Sequence, residues 1–246
     1  MRDMHLHLMR PDQIKEAVRD NVPVILAAGV IEYHGPHLPI GTDFIVPAGI
    51  AERLPARTRC IIAPPIAYGT TTNWAGPAED GNMDINGDIA YQYAKEIMRH
   101  LVKMGFRRIY IMQYHQGMGE QIMGLHLAAR AVIDEITSAW PAGWGRGSHA
   151  DTPIPNIYSV IQVLSIAARE TYRDANGKPV GIGHASKGET ELVMGVEPDF
   201  VDMSRVHDIN YPTPEWLKDS HLADPAVGED WIEFCVNAWV RELERK

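Results

Sequence analysis

Cysteine is scarce in this chain. Cys60 and Cys235 are the two present in 246 residues, and they lack the paired spacing of a zinc ribbon or a redox motif. A disulfide framework and a thiolate nucleophile are thereby disfavoured, and two buried thiols are expected. Positive charge is also short: 23 Lys and Arg stand against 32 Asp and Glu, a net charge of −9, which repels nucleic acid and anionic membranes. No apolar run approaches the ~18 residues of a membrane span. The opening Met1 to His7 has no long apolar segment of the secretory kind, so a cytoplasmic location is expected. Internal repeats, low-complexity stretches and a Gly-x-Gly-x-x-Gly or phosphate loop are missing too. Gly117-Met118-Gly119 is too short a pattern for a nucleotide site.

What is present is ordinary for a folded domain. Hydrophobic residues make up 45% and charged residues 22%, and the length suits one domain over residues 1–246. Elements alternate along the chain. A helix over 11–20 precedes an apolar strand from Val22 to Val30, then come a helix over 44–54 and a strand over 59–66. A long helix over 86–104 ends at Gly105, and residues 107–114 read as another buried strand. A helix over 119–139, a strand over 157–164, a helix from near Glu189 and a closing helix over 224–245 complete the pattern. Strand alternating with helix predicts an α/β fold of three layers, α/β/α, with a mainly parallel sheet. In the closing helix, Trp231, Phe234, Cys235, Ala238 and Trp239 share one face, a stripe suited to the core or to an oligomer contact.

The most informative stretch runs from Gly29 to Asp43. It holds Glu32, His34, His37 and Asp43 within twelve residues directly after the first apolar strand. Carboxylate oxygen mixed with imidazole nitrogen suits zinc, manganese or iron better than calcium or magnesium. In extended chain Glu32 and His34 point to the same side. Pro36, Pro39 and Gly41 then forbid regular structure and let the chain return Asp43 to the same place. Asp43 also reads as the N-cap of the helix over 44–54, a role that alone would explain an isolated aspartate. The strand over 107–114 delivers His115 at its carboxyl end, where functional groups of open α/β sheets collect. His5, His7, His100, His126, His207 and His221 are scattered and carry no such pattern.

The segment Glu32-x-His34-Gly35-x-His37-Leu38-Pro39-x-x-Thr42-Asp43 resembles the creatininase family of metal-dependent hydrolases. The resemblance continues in Ala63 to Gly69, in Gln113-Tyr114-His115 and in His184 to Thr190. It implies an α/β fold, a homo-oligomer with a hexamer among the candidate forms, and a centre of two divalent transition ions. Glu32 and His34 would each bind one ion, Asp43 would bridge both, His115 would complete one shell, and Glu189 would be a further ligand or active-site carboxylate. His37 would support the ligands from behind. His184 matches the histidine that assists proton transfer in creatininase.

The chain also departs from that family's pattern. Gly117 stands where creatininase has a metal-binding glutamate, which leaves Glu120 and Glu189 as candidates for the second ion and Glu120 as a helper to His184. Gln116 and Tyr68 are assigned to the substrate wall, and residues 70–82 replace the family's usual segment there. The glycine-rich stretch over 140–149 would offer Trp144 either as a lid on the substrate or as packing. The expected reaction is metal-assisted hydrolysis of a small cyclic polar substrate. Cleavage of a C–N bond is favoured, with ring opening of a cyclic diketone derived from inositol as the alternative. A non-catalytic metal-binding assembly protein is the reading from another class; the scarcity of cysteine near the motif argues against purely structural zinc.

Overall fold

The two central strands of this protein, residues 24–28 and 109–113, read as short β-branched and apolar runs because both their faces are buried. The computed structural model describes residues 4–115 and 124–245. Strands β1 (Val24–Ala28), β2 (Ile61–Ile66), β3 (Ile109–Gln113) and β4 (Ile161–Ser165) form one sheet in the order β2-β1-β3-β4. All three pairings are parallel. Pro64 and Pro65 fall on β2, an edge strand, where a missing N–H is tolerated.

Alternate residues of each strand feed two separate cores. Val24, Leu26, Ala28, Ile109 and Ile111 pack against α1 (Pro11–Arg19), α3 (Gly87–Met104) and α4 (Leu125–Thr137). Ile25, Ile62, Tyr110 and Met112 pack against α2 (Thr42–Arg53), α5 (Lys187–Val196) and α6 (Pro225–Glu244). The expected three layers are therefore present. The stripe on α6 is core: Trp231, Cys235 and Trp239 are buried, and Trp239 Nε1 donates to Ile166 O at 2.9 Å. Gly195 of α5 and Gly228 of α6 meet backbone to backbone, so the two helices approach closely. Both cysteines are buried thiols, and desolvation pushes each up to about 12.

Several boundaries differ from the sequence pattern. The strand expected from residue 157 begins with a 3-10 turn over Ile157–Ser159. The helix expected from 119 is described from Leu125 onward. The α2 helix begins two residues early: Thr42 Oγ1 donates to Pro39 O at 2.8 Å, and Gly41 takes the N-cap position. Asp43 is thus not the cap. It is the second residue of the first turn, where its charge still complements the helix dipole. No helix of the described residues is long and apolar enough to cross a membrane.

Candidate metal centre

The strand order reverses between β1 and β3, and the site forms just beyond the carboxyl ends of these two strands, as expected at a topological switch point. After β1 the chain makes an irregular loop closed by Glu32 N donating to Ile40 O at 2.9 Å. Gly29 N donates to Ile66 O at 2.9 Å, and Tyr114 N donates to Ala28 O at 2.9 Å, which ties the three strand ends together. Glu32, His34, Asp43, His184 and Glu189 are all buried, and the side chain of His115 is almost wholly so.

The hydrogen bonds fix the state of each imidazole. His34 Nδ1 lies 3.0 Å from Glu32 O. A carbonyl only accepts, so Nδ1 carries a proton and Nε2, the nitrogen free to bind a cation once its own proton is displaced, points inward. That nitrogen has no hydrogen-bond partner. It faces Asp43 Oδ1 at 3.4 Å, Glu189 Oε2 at 3.5 Å and Glu32 Oε1 at 3.9 Å. His184 Nε2 likewise donates to Tyr33 O at 2.8 Å, which turns the Nδ1 lone pair toward Glu32 Oε1 at 3.5 Å. His115 Nδ1 stands 2.7 Å from Asp43 Oδ2 and 3.3 Å from Glu32 Oε1.

Electron-rich atoms converging in a dry pocket demand positive charge between them. Without ions, protons fill that role. Burial opposes the charge on His34, yet Glu189, Asp43 and Glu32 outweigh it and raise its pKa to about 10. His115 is raised to about 10 in the same way, by Asp43 and Glu32 acting against burial. Glu189 is raised to about 7, chiefly by burial. Burial and the neighbouring His34 hold His184 down to about 3. A cation would displace these protons.

Two sets of ligand atoms meet the spacing for an ion, each with its atoms within 4.8 Å of one another: Glu32 with Asp43 and His115, and His34 with Asp43 and Glu189. Glu32, His34 and His184 form a third, overlapping group. Asp43 belongs to both main sets, one oxygen toward each. Glu189 is held for this task, since Oε1 accepts from Tyr114 Oη at 2.7 Å and Oε2 accepts from Ala185 N. His37 stands behind the set, its Nε2 2.9 Å from Thr190 Oγ1 on the helix that carries Glu189.

Trp144 lies elsewhere. It packs edge-on to Trp140 at 5.0 Å and against Tyr158 at 6.0 Å. Tyr158 sits in the turn entering the amino end of β4, so within one chain Trp144 is at the opposite end of the sheet from the cluster. The lid expectation is corrected accordingly: the loop's place is set by where β4 starts, not by its aromatic content. Tyr68 is 51% exposed just past the carboxyl end of β2, at the end of the sheet that carries the cluster, and supplies none of the ligand atoms. Gln116 and Glu120 lie outside the described residues. Sequence reasoning put Trp74 at the substrate wall only as part of residues 70–82 and missed Trp216; their rings stand 5.3 and 5.0 Å from that of His184.

Inward lone pairs among buried carboxylates, placed where α/β sheets bind their ligands, are the arrangement of a metal-dependent hydrolase. The creatininase model, described as creatinine amidohydrolase, matches residues 7–243, and the chain belongs to that family. Creatinine amidohydrolase of Pseudomonas putida is 25% identical over 242 residues, covering 87% of this chain and 85% of that protein. The 3-dehydro-scyllo-inosose hydrolase of Thermotoga maritima is 25% identical over 112 residues, 46% of this chain and 36% of that one. Creatininase structures in manganese and zinc–zinc forms share the fold. Each has a TM-score of 0.75, at 20% and 19% identity respectively, over 98% of this chain and 97% of theirs.

Proposed function

We propose that this chain hydrolyses a C–N bond of a small cyclic amide at a centre of two divalent ions of the manganese or zinc type. Glu32, Asp43 and His115 would hold one ion and His34, Asp43 and Glu189 the other. The observation that carries this reading is the division of Asp43 between two histidines, Oδ2 at 2.7 Å from His115 and Oδ1 at 3.4 Å from His34. When bound, such ions polarise a carbonyl and make water a stronger acid.

The chain's own groups complete the chemistry. Tyr33 O fixes His184 with its Nδ1 lone pair toward the cluster. Burial and the neighbouring His34 hold its pKa down to about 3, so His184 is neutral and cannot open the reaction as an acid. It can take a proton at Nδ1 and return it to the leaving nitrogen. Tyr114 and Ala185 anchor Glu189, which keeps the second ligand set from relaxing when the substrate enters. The same reading takes residues 1–246 as one domain and places the protein in the cytoplasm as a homo-oligomer. The net charge of −9 supports a partner list without nucleic acid or anionic membrane.

The match to an inosose hydrolase over 46% of the chain supports a second reading, hydrolytic C–C opening of a cyclic diketone, since water addition to a carbonyl begins both reactions. Proton NMR would follow cyclic amides, formamides and oxidised inositols with metal-reconstituted and metal-stripped protein. Metal-dependent loss of an amide establishes the first reading; selective opening of the diketone replaces it with the second.

A further inference from the structure

Beside the metal cluster stands an aromatic wall built from three separate parts of the chain. The indoles of Trp74 and Trp216 both meet His184 edge-on, at interplanar angles of 87° and 82°, and lie 6.1 Å from each other. Tyr33 extends the wall, 6.5 Å from Trp216, and its hydroxyl is bonded to that of Tyr211 at 2.9 Å. Trp216 comes from a 3-10 turn over Glu215–Leu217, Trp74 from the irregular segment after β2.

Trp74 is 61% exposed, so core packing does not account for it. Its loop is nevertheless clamped. Thr71 N and Thr72 N donate to Asp84 Oδ1 at 2.8 and 3.0 Å, and Asn73 Nδ2 donates to Asp84 Oδ2 at 3.3 Å. Asn82 accepts from Tyr33 N at 2.7 Å and donates to Gly76 O. Ile85 N donates to Gly69 O, and Met83 N to Ile31 O, each at 3.0 Å. Thr72 and Asn73, immediately before the indole, are both left-handed, with φ of 57° and 50°. Asparagine adopts that conformation readily, but a β-branched threonine does so only under strain. Such strain persists where surrounding bonds over-determine it, and it clusters at ligand clamps. The fold thus immobilises an exposed indole next to the histidine that faces the ions' place.

We infer that Trp74, backed by Trp216, is a platform for the flat face of a conjugated ring, so that the site selects planar lactams and cyclic imides over puckered, hydroxyl-rich rings. An indole face rewards a flat π-system, and it offers nothing to a ring of hydroxyls that lose water on entry. The identity of the reacting group rests on the amidohydrolase reading; the platform itself does not.

The test is calorimetric titration of the metal-loaded chain with creatinine and succinimide, which are planar, and with δ-valerolactam and scyllo-inosose, which are puckered. Turnover of each is followed separately. Trp74→Ala is expected to weaken the planar ligands about tenfold, with metal content unchanged and puckered ligands unaffected; Trp74→Phe retains most of the affinity. A Trp74→Ala protein that binds planar rings as the wild type does, a wild type that binds no planar ring, or a preference for puckered rings overturns the platform. Planar binding through Trp74 without hydrolysis keeps the platform and overturns the amidohydrolase reading. Amide hydrolysis indifferent to Trp74→Ala does the reverse.

Discussion

Asp43 Oδ2 lies 2.7 Å from His115 Nδ1, joining the first turn of α2 to the end of β3. The other oxygen of the same carboxylate faces His34, so one side chain serves both ligand sets. Asp43→Asn replaces one of these oxygens by an NH₂ group that cannot bind a cation. Bound metal should fall from about two ions per chain toward none, and turnover by at least about a hundredfold. Metal analysis after gel filtration, with the NMR assay beside it, checks this. Retention of both ions and full turnover would show that Asp43 bridges nothing.

Glu189 separates the two sets. In Glu189→Gln the amide keeps a bond to Ala185 N through its oxygen and can donate to Tyr114 Oη, so the fold around it survives. The negative charge facing His34 Nε2 at 3.5 Å is lost. The expected result is about one ion per chain, held by Glu32, Asp43 and His115. A Glu189→Gln protein that still binds both ions tightly would remove Glu189 from the ligand list.

The parts legible in the sequence were those whose cause is local. Short apolar runs announced the strands, and the proline-broken loop after β1 announced the return of Asp43 toward Glu32 and His34. The N-cap reading of Asp43 failed because Thr42 back-bonds to Pro39 O and starts the helix early. Trp74 and Trp216 lie in stretches without period, and their meeting over His184 is purely tertiary. Composition left Trp144 open between a lid and packing, and its place against Trp140 and Tyr158 depends on the entry into β4, which no local pattern reveals.

His37 couples the centre to pH. Thr190 Oγ1 donates to Ser186 O at 2.8 Å, so it accepts from His37 Nε2–H. The other ring nitrogen is buried without a hydrogen-bond partner. Burial, then the charge of His34, holds the His37 pKa down to about 4, from an ordinary 6.5. Between these values the unfolded chain binds a proton that the folded chain refuses. Stability is therefore full above the unfolded pKa and falls as pH drops from about 6.5 to about 4, by up to about 3 kcal/mol. Denaturation midpoints across that window, compared with His37→Gln, isolate this contribution. Parallel curves for the two proteins would assign the pH dependence to other groups.

Gly29 decides whether Asp43 can occupy its place at all. The glycine follows β1 and donates its N–H to Ile66 O. A Cβ there would lie 2.0 Å from Asp43 O and 2.7 Å from Phe44 N, both backbone atoms that no rotamer change can move. Pro47 matters for the same contact. It lies inside α2 and has no N–H to give the carbonyl of Asp43 four residues earlier, so that carbonyl packs against Gly29. Alanine at position 29 must push the first turn of α2 away from the sheet, and Asp43 would then leave both His34 and His115. Gly29→Ala should cost about 1–3 kcal/mol of stability, as overpacking in a tight site does, and it should lose both ions as Asp43→Asn does. Gly145→Ala, where nothing lies within 4 Å of the added carbon, is the control and should change neither quantity. If Gly29→Ala bound both ions with wild-type affinity, the carboxylate would be positioned by its ligand contacts alone and the packing of α2 on β1 would play no part in building the centre.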